Sequence, residues 1–106
     1  MFGLFKRGNI NKGVDEFKVT NGAVLLDVRT KEEYEDGHVP GSKNINVAEI
    51  EKISYLVDNR ATPLFVHCLS GARSSRAVSA LKNMGYTNVK NIGGISSYKG
   101  TIEKGA

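Results

Sequence analysis

Two short, uninterrupted apolar runs, Ala23-Val24-Leu25-Leu26 and Leu64-Phe65-Val66, set the strongest limit on how this chain can fold. Neither alternates apolar with polar residues, so each reads as a strand covered on both faces rather than one with a wet side. Covering both faces takes helices, and the intervening segments supply them. Lys12 to about Val19 carries Val14, Phe17 and Val19 and ends at Asn21-Gly22. Thr30 caps a short helix over Lys31–Asp36, with Glu33 placed to close a capping box. Ala48–Val57 sets Ile50, Ile53, Leu56 and Val57 at helical spacing, and Ala72–Met84 does the same with Ala77, Val78, Leu81 and Met84. Gly85 stands where a C-cap belongs. Asn9-Ile10-Asn11 reads as a short first strand, Ser42 to Val47 as an extended piece and Asn88 to Ile92 as a further strand. Gly93-Gly94 then turns into a last helical stretch containing Ile95, Tyr98 and Ile102. Strands and helices therefore alternate. That order predicts an α/β domain with a mostly parallel central sheet, helices on both faces and right-handed crossovers.

A chain of 106 residues suits one domain with one core, taken as residues 9–106 behind a terminal tail over residues 1–8. Met1-Phe2-Gly3-Leu4-Phe5 is too short for the apolar region of a signal peptide, which needs about 7–15 residues. A weak membrane or partner contact is the minor alternative for that tail. No run approaches the roughly 20 apolar residues of a membrane span. A single cysteine forms no internal disulfide, so a reducing cytoplasm is the expected location. The net charge of +4 comes from scattered basic residues with no basic helix or interleaved aromatic series, which argues against nucleic acid. A mild positive field of that kind still favours small anions.

In the sheet expected here, ligands bind outside the carboxyl ends of the strands. Asp27 and Cys68 both fall at such ends. Cys68 is followed by Leu69, Ser70, Gly71 and Ala72, and then by Arg73 at the start of a helix, a C-x-x-G-x-R spacing. A loop that tight can aim successive backbone N–H groups at one centre, with Gly71 supplying backbone angles that a Cβ penalises. The helix behind adds roughly half a positive charge at its N-terminus. Together these can lower a thiol pKa from about 8.5 into a range of about 3.5–7.5, and the same donors would hold a persulfide. The ordinary reading of a lone cysteine is an inert core residue. The strand–Cys–Gly–Arg–helix context argues otherwise. No metal is expected, because His38, His67 and one cysteine make no ligand spacing. His67 should point to the opposite side of its strand from Cys68, which removes a Cys–His protease pair. With no second cysteine, a self-contained dithiol oxidoreductase is also removed.

The loop Cys68-Leu69-Ser70-Gly71-Ala72-Arg73 resembles the active-site loop of single-domain rhodaneses, the sulfurtransferases. So do Leu26-Asp27-Val28-Arg29 with Glu33-Tyr34, Gly37-His38-Val39-Pro40-Gly41-Ser42, Asn44-Ile45 and Ile92-Gly93-Gly94, all in family order. The resemblance implies a rhodanese-like domain over 9–106 with a five-stranded parallel sheet flanked by helices. It implies that Cys68 takes sulfane sulfur from a donor such as thiosulfate and passes it, as a persulfide, to an acceptor such as cyanide or a thiol, in ping-pong fashion and without a cofactor. The implied partners are those small molecules or a protein sulfur acceptor, with neither nucleic acid nor membrane. In this fold a six-residue loop closes around one sulfur atom, whereas a seven-residue C-x5-R loop fits phosphate or arsenate. Arg73 lies at C-x4-R and Arg76 at C-x7-R, so sulfur transfer is the reading and phosphatase activity a distant one. Relatives often carry a tryptophan shortly after the Gly-Gly pair; this chain has Tyr98 there and no tryptophan.

Cys68 is thus the expected nucleophile, and the backbone N–H groups of Leu69, Ser70, Gly71, Ala72 and Arg73 the expected anion cradle. Arg73 has two candidate tasks: binding the anionic donor with its forked cation, or tying the loop to a carboxylate. Arg76 is read as a solvated charge and His38 as a turn residue rather than a general base. Asp27 and Arg29 are expected to orient the turn and the neighbouring Glu33 by ion pairing. Two further uses of the fold stay open: a sulfur carrier delivering persulfide to a protein, and a non-catalytic interaction module.

Overall fold

The structure, a computed structural model, describes residues 9–106; the tail expected over residues 1–8 lies outside them. Helix α1 (Ile10–Lys18) begins where the Asn9 side chain accepts from the Asn11 N–H at 2.9 Å. The first strand expected at Asn9–Asn11 is therefore an N-cap and the first turn of a helix. An asparagine ahead of an amphipathic run starts a helix because its side chain satisfies an otherwise orphaned N–H. Strand β1 (Val24–Asp27), helix α2 (Lys31–Asp36) and strand β2 (Lys43–Asn44) follow. The capping box is present: Thr30 accepts from the Glu33 N–H, and Glu33 accepts from the Thr30 N–H at 3.0 Å.

The helix expected over Ala48–Val57 is broken in two. A 3-10 segment (Val47–Lys52) with Glu49 off helical geometry runs into the single turn α3 (Ile53–Leu56). Breaking it lets Ile50, Ile53 and Val57 all reach the core, while Leu56 stays 47% exposed. Strand β3 (Leu64–Cys68) leads to helix α4 (Ala72–Asn83), which ends at Gly85 with φ +97°. The Tyr86 N–H donates to the Leu81 carbonyl and the Gly85 N–H to that of Lys82, so two orphaned carbonyls are satisfied.

Strand β4 (Val89–Gly94) closes the sheet. Among the described residues there are four strands, in the order β2-β1-β3-β4, every pair parallel. The expected count of five fails because Asn9–Asn11 is helical. Gly93 and Gly94 do not form the expected turn but finish β4 opposite His67 and Cys68, after a register shift at Val66/His67. The last helical stretch shrinks to a 3-10 turn over Ile95–Ser97; beyond it Glu103 pairs antiparallel with His38.

The sheet is covered on both faces. Leu26, Val28, Leu64, Val66 and Cys68 pack with Ile53, Ala77 and Leu81, on the side of α3 and α4. Leu25, Phe65 and Ile92 pack with Ile10 and Val14 of α1. Period-two alternation along β3 accounts for the division. No helix among the described residues is long and apolar enough to cross a membrane.

Candidate active site

β3 delivers Cys68 to the carboxyl edge of the sheet, where Asp27 ends β1 opposite His67. The chain then turns through exposed Leu69 and Ser70 into Gly71, whose φ of 105° is in the range that favours glycine. That angle aims the Gly71 N–H back at Cys68 Sγ, 3.0 Å away, and starts α4 beneath the sulfur. Leu69 uses its carbonyl to accept from the Ser96 N–H at 3.1 Å, and this seats the loop on the end of β4. The seat requires Gly94: a Cβ there would fall onto the Leu69 carbonyl and the Ser70 Cα.

Cys68 is 1% exposed. Burial pushes its pKa up, but hydrogen bonds from the Ser74 side chain and from the backbone of Ser74, Gly71 and Ser70 outweigh it. The net effect holds Cys68 below the ordinary thiol value. Of the backbone groups in the expected cradle, those of Ser70 and Gly71 act directly on the sulfur, and the side chain of Arg73 is paired with Glu33.

Arg73 holds Glu33 of α2 in a forked pair, Nη1 to Oε1 at 2.6 Å and Nη2 to Oε2 at 2.9 Å. Of the two tasks open to Arg73, tying the loop to a carboxylate is what this geometry performs. The Arg73 hydrogen bond brings the Glu33 carboxyl down to about 2, helped by Thr30 and opposed by burial. Asp27 and Arg29 orient the turn by ion pairing with each other, and Glu33 is held by Arg73 instead. Arg29 is locked on Asp27, Nη2 to Oδ2 at 2.7 Å, and donates to the Gly37 carbonyl at 2.8 Å, with both charged side chains buried. Together they brace the turn after β1.

His67 lies fully buried on the other side of β3. Its Nδ1–H donates to the Cys68 carbonyl at 3.2 Å, and its Nε2 stands 3.9 Å from Asp27 Oδ2 without a hydrogen-bond partner. His38 stacks on Tyr34 at 3.8 Å between ring centres and donates to the Tyr34 carbonyl, a packed turn residue. Arg76 is exposed. Beside Ser70, an open cleft of about 740 Å³ runs past Gly93 and Gly94 to Lys99 and to Asn9 and Asn11.

Two residues here escaped the sequence reading. Ser74 Oγ lies 3.5 Å from Cys68 Sγ, and Asn91 of β4 lies 2.8 Å from that hydroxyl. Ser74 sits in the first turn of the helix that the loop opens, where serine side chains turn back to the preceding backbone. Asn91 is a part-buried amide inside β4, between Lys90 and Ile92, and an amide withdrawn from solvent needs a partner. Those were the available signals.

Comparison with known proteins gives a consistent picture. The family model described as the rhodanese-like domain matches residues 10–101. Thiosulfate sulfurtransferase PspE of Escherichia coli is 39% identical over 71 residues, covering 66% of this chain and 68% of that protein. The adenylyltransferase and sulfurtransferase UBA4 of Meyerozyma guilliermondii is 37% identical over 89 residues, but this chain spans only 21% of its length. Among solved structures, a rhodanese from E. coli determined with anions superposes with a TM-score of 0.73 at 36% identity, covering 78% of this chain and 99% of that one.

Proposed function

Because this chain belongs to the rhodanese-like domain family, we propose that it is a sulfurtransferase of the thiosulfate:cyanide type, working through a persulfide on Cys68. The observation that carries the reading is the Gly71 N–H on Sγ at 3.0 Å, inside a loop of the six-residue length that the family resemblance associates with sulfur transfer. In the first half-reaction the Cys68 thiolate attacks the outer sulfur of thiosulfate, the S–S bond of the donor breaks, and sulfite leaves with the electron pair. In the second, cyanide or a thiolate attacks the outer sulfur of Cys68–S–S⁻. Thiocyanate or a new persulfide departs, and the pair returns to Sγ as thiolate. Charge balances in both halves, so no cofactor is required.

Cys68 is the nucleophile, and the backbone of the loop from Leu69 to Arg73 is the cradle that receives the outer sulfur. Arg73 acts as the tie that keeps this loop closed, since Glu33 engages both of its terminal nitrogens. A lone thiol that must stay reduced to react favours the cytoplasm. The domain is taken as residues 9–106.

The reading is tested by thiocyanate formation from thiosulfate and cyanide, together with intact mass after donor treatment. One added sulfur on wild type, with neither adduct nor product in Cys68→Ser, is the expected result. Equal turnover in Cys68→Ser would refute it. A second reading, delivery of the persulfide to a protein acceptor, draws on UBA4, where a similar sequence is one part of a longer protein. Stable adduct formation with slow turnover on cyanide would favour it. Absence of any adduct would leave the non-catalytic module.

A further inference from the structure

Ser74 offers one hydroxyl proton to three acceptors. Its Oγ is 2.8 Å from Asn91 Oδ1, 3.0 Å from the Gly71 carbonyl and 3.5 Å from Cys68 Sγ, and the residue is fully buried. Only one of these can take the proton at a time. The orientation of the Asn91 amide is set independently, because the Gly93 N–H must donate to Oδ1, at 2.9 Å. The other end, Nδ2, then donates to the Gly71 carbonyl at 3.2 Å, and the same carbonyl also accepts from the Ser75 N–H at 3.1 Å. Both oxygens that compete for the serine proton thus keep another donor when it leaves. Turning the hydroxyl away from them strands nothing, which is the cost that normally freezes a buried hydroxyl.

From this we infer that Ser74 is the switchable hydrogen-bond partner of the Cys68 sulfur: its oxygen accepts from the thiol, and its proton turns onto Sγ when the sulfur becomes a thiolate. Asn91 is the positioning residue that makes the turn possible. The inference rests on sulfur transfer through Cys68 and deepens it. Sγ is a thiolate before loading and again after the acceptor takes the outer sulfur, when the breaking S–S bond returns its electron pair to Sγ. The hydroxyl serves both moments. In the persulfide, where the charge moves to the outer sulfur, the proton is free to return to Asn91 Oδ1. The Gly71 N–H, fixed in the backbone, has no such freedom.

Several charged groups surround the loop and bear on its titration: Arg73 with Glu33 from α2, Asp27 with Arg29 at the end of β1, and His67 on the far face of β3. None is moved by removing a hydroxyl, so Ser74→Ala isolates its part. Thiolate absorbance is followed against pH in the free protein, with Cys68→Ser subtracting the tyrosines. Loss of a hydrogen bond to a charged group should raise the midpoint in Ser74→Ala by roughly one pH unit. Ser74→Thr, which keeps the hydroxyl, should restore it. An unchanged midpoint in folded Ser74→Ala would overturn the inference. Should the alanine variant fail to fold, proton NMR of wild type decides: the Ser74 hydroxyl resonance should move downfield with the thiolate midpoint, and a stationary resonance would overturn it equally. These titrations use no sulfur donor, so a negative persulfide assay would sink sulfur transfer without touching them.

Discussion

Arg73 and Glu33 join the first turn of α4 to α2 through two parallel hydrogen bonds of 2.6 and 2.9 Å, across 40 positions of sequence. The pair sits on the strand-end side of the sheet beside the cysteine loop, each side chain about 30% exposed. Its value therefore lies less in stability, where such pairs contribute about 1 kcal/mol or less, than in fixing where the loop begins. A lysine cannot reproduce the fork. Arg73→Lys is expected to leave the melting temperature within a few degrees while lowering kcat/KM for thiocyanate formation by about tenfold to a hundredfold. Equal kcat/KM would show that the tie is dispensable.

The same pair sets an acid limb in stability. Glu33 titrates at about 2 in the folded chain against an ordinary value of 4.5, so the unfolded chain binds the proton first. The stabilisation is complete above 4.5 and fades as pH falls toward 2. Urea unfolding of wild type and Glu33→Gln should therefore show two curves that converge on acidification through this window. Parallel curves would place the carboxylate outside the ion pair.

His67 adds a second limb at higher pH. Burial lowers its pKa, opposed by Asp27, so it folds as the neutral imidazole and must charge on unfolding in acid. Unfolded histidine binds its proton from about 6.5 downward, so stability drops as pH falls below that value. Denaturation midpoints should decline as pH falls below about 6.5 in wild type, and this decline should be weaker in His67→Gln. The two limbs are distinguishable because His67→Gln removes only the upper one.

What was legible in the sequence was whatever depends on neighbours a few positions apart. Thr30 with Glu33, Gly85 after α4 and the six-residue loop from Cys68 to Arg73 are all local patterns, and the structure carries each one. Asn9 misled because three residues are too few for periodicity to separate strand from helix, and the cap decided the matter. The Asp27–Arg29 pair at the turn is likewise local, whereas the partner of Glu33 is Arg73, 40 positions away, which no short-range pattern encodes. Asn91 and Ser74, 17 positions apart, meet only because α4 packs on β4, and no short-range pattern encodes that meeting.

Gly94 is the clearest case of a residue chosen for an absent atom. Its φ of −135° suits any residue, so the constraint is space alone: a Cβ would overlap the Leu69 carbonyl. Gly94→Ala must push the loop off β4 and break the Ser96–Leu69 hydrogen bond. A cost of about 1–3 kcal/mol is expected from forced overpacking. Persulfide yield per folded molecule should fall with it, read by intact mass after thiosulfate treatment. Full yield in a folded variant would show that the loop closes without this seat.

Gly71 and Gly22 separate backbone strain from site chemistry. Both have positive φ, 105° and 73°, but Gly22 lies in the turn before β1 with nothing within 4 Å of an added Cβ. Each alanine variant should lose about 1–2 kcal/mol of stability, the ordinary penalty of that backbone region. Their effects on the sulfur should differ. Gly71 can relieve its strain only by rotating the peptide whose N–H reaches Sγ at 3.0 Å, so Gly71→Ala should raise the thiolate midpoint and depress turnover. Gly22→Ala, equally destabilised, should keep both at wild-type values per folded molecule. If the two variants behave alike, the Gly71 N–H contributes nothing to Cys68 beyond holding the chain in place.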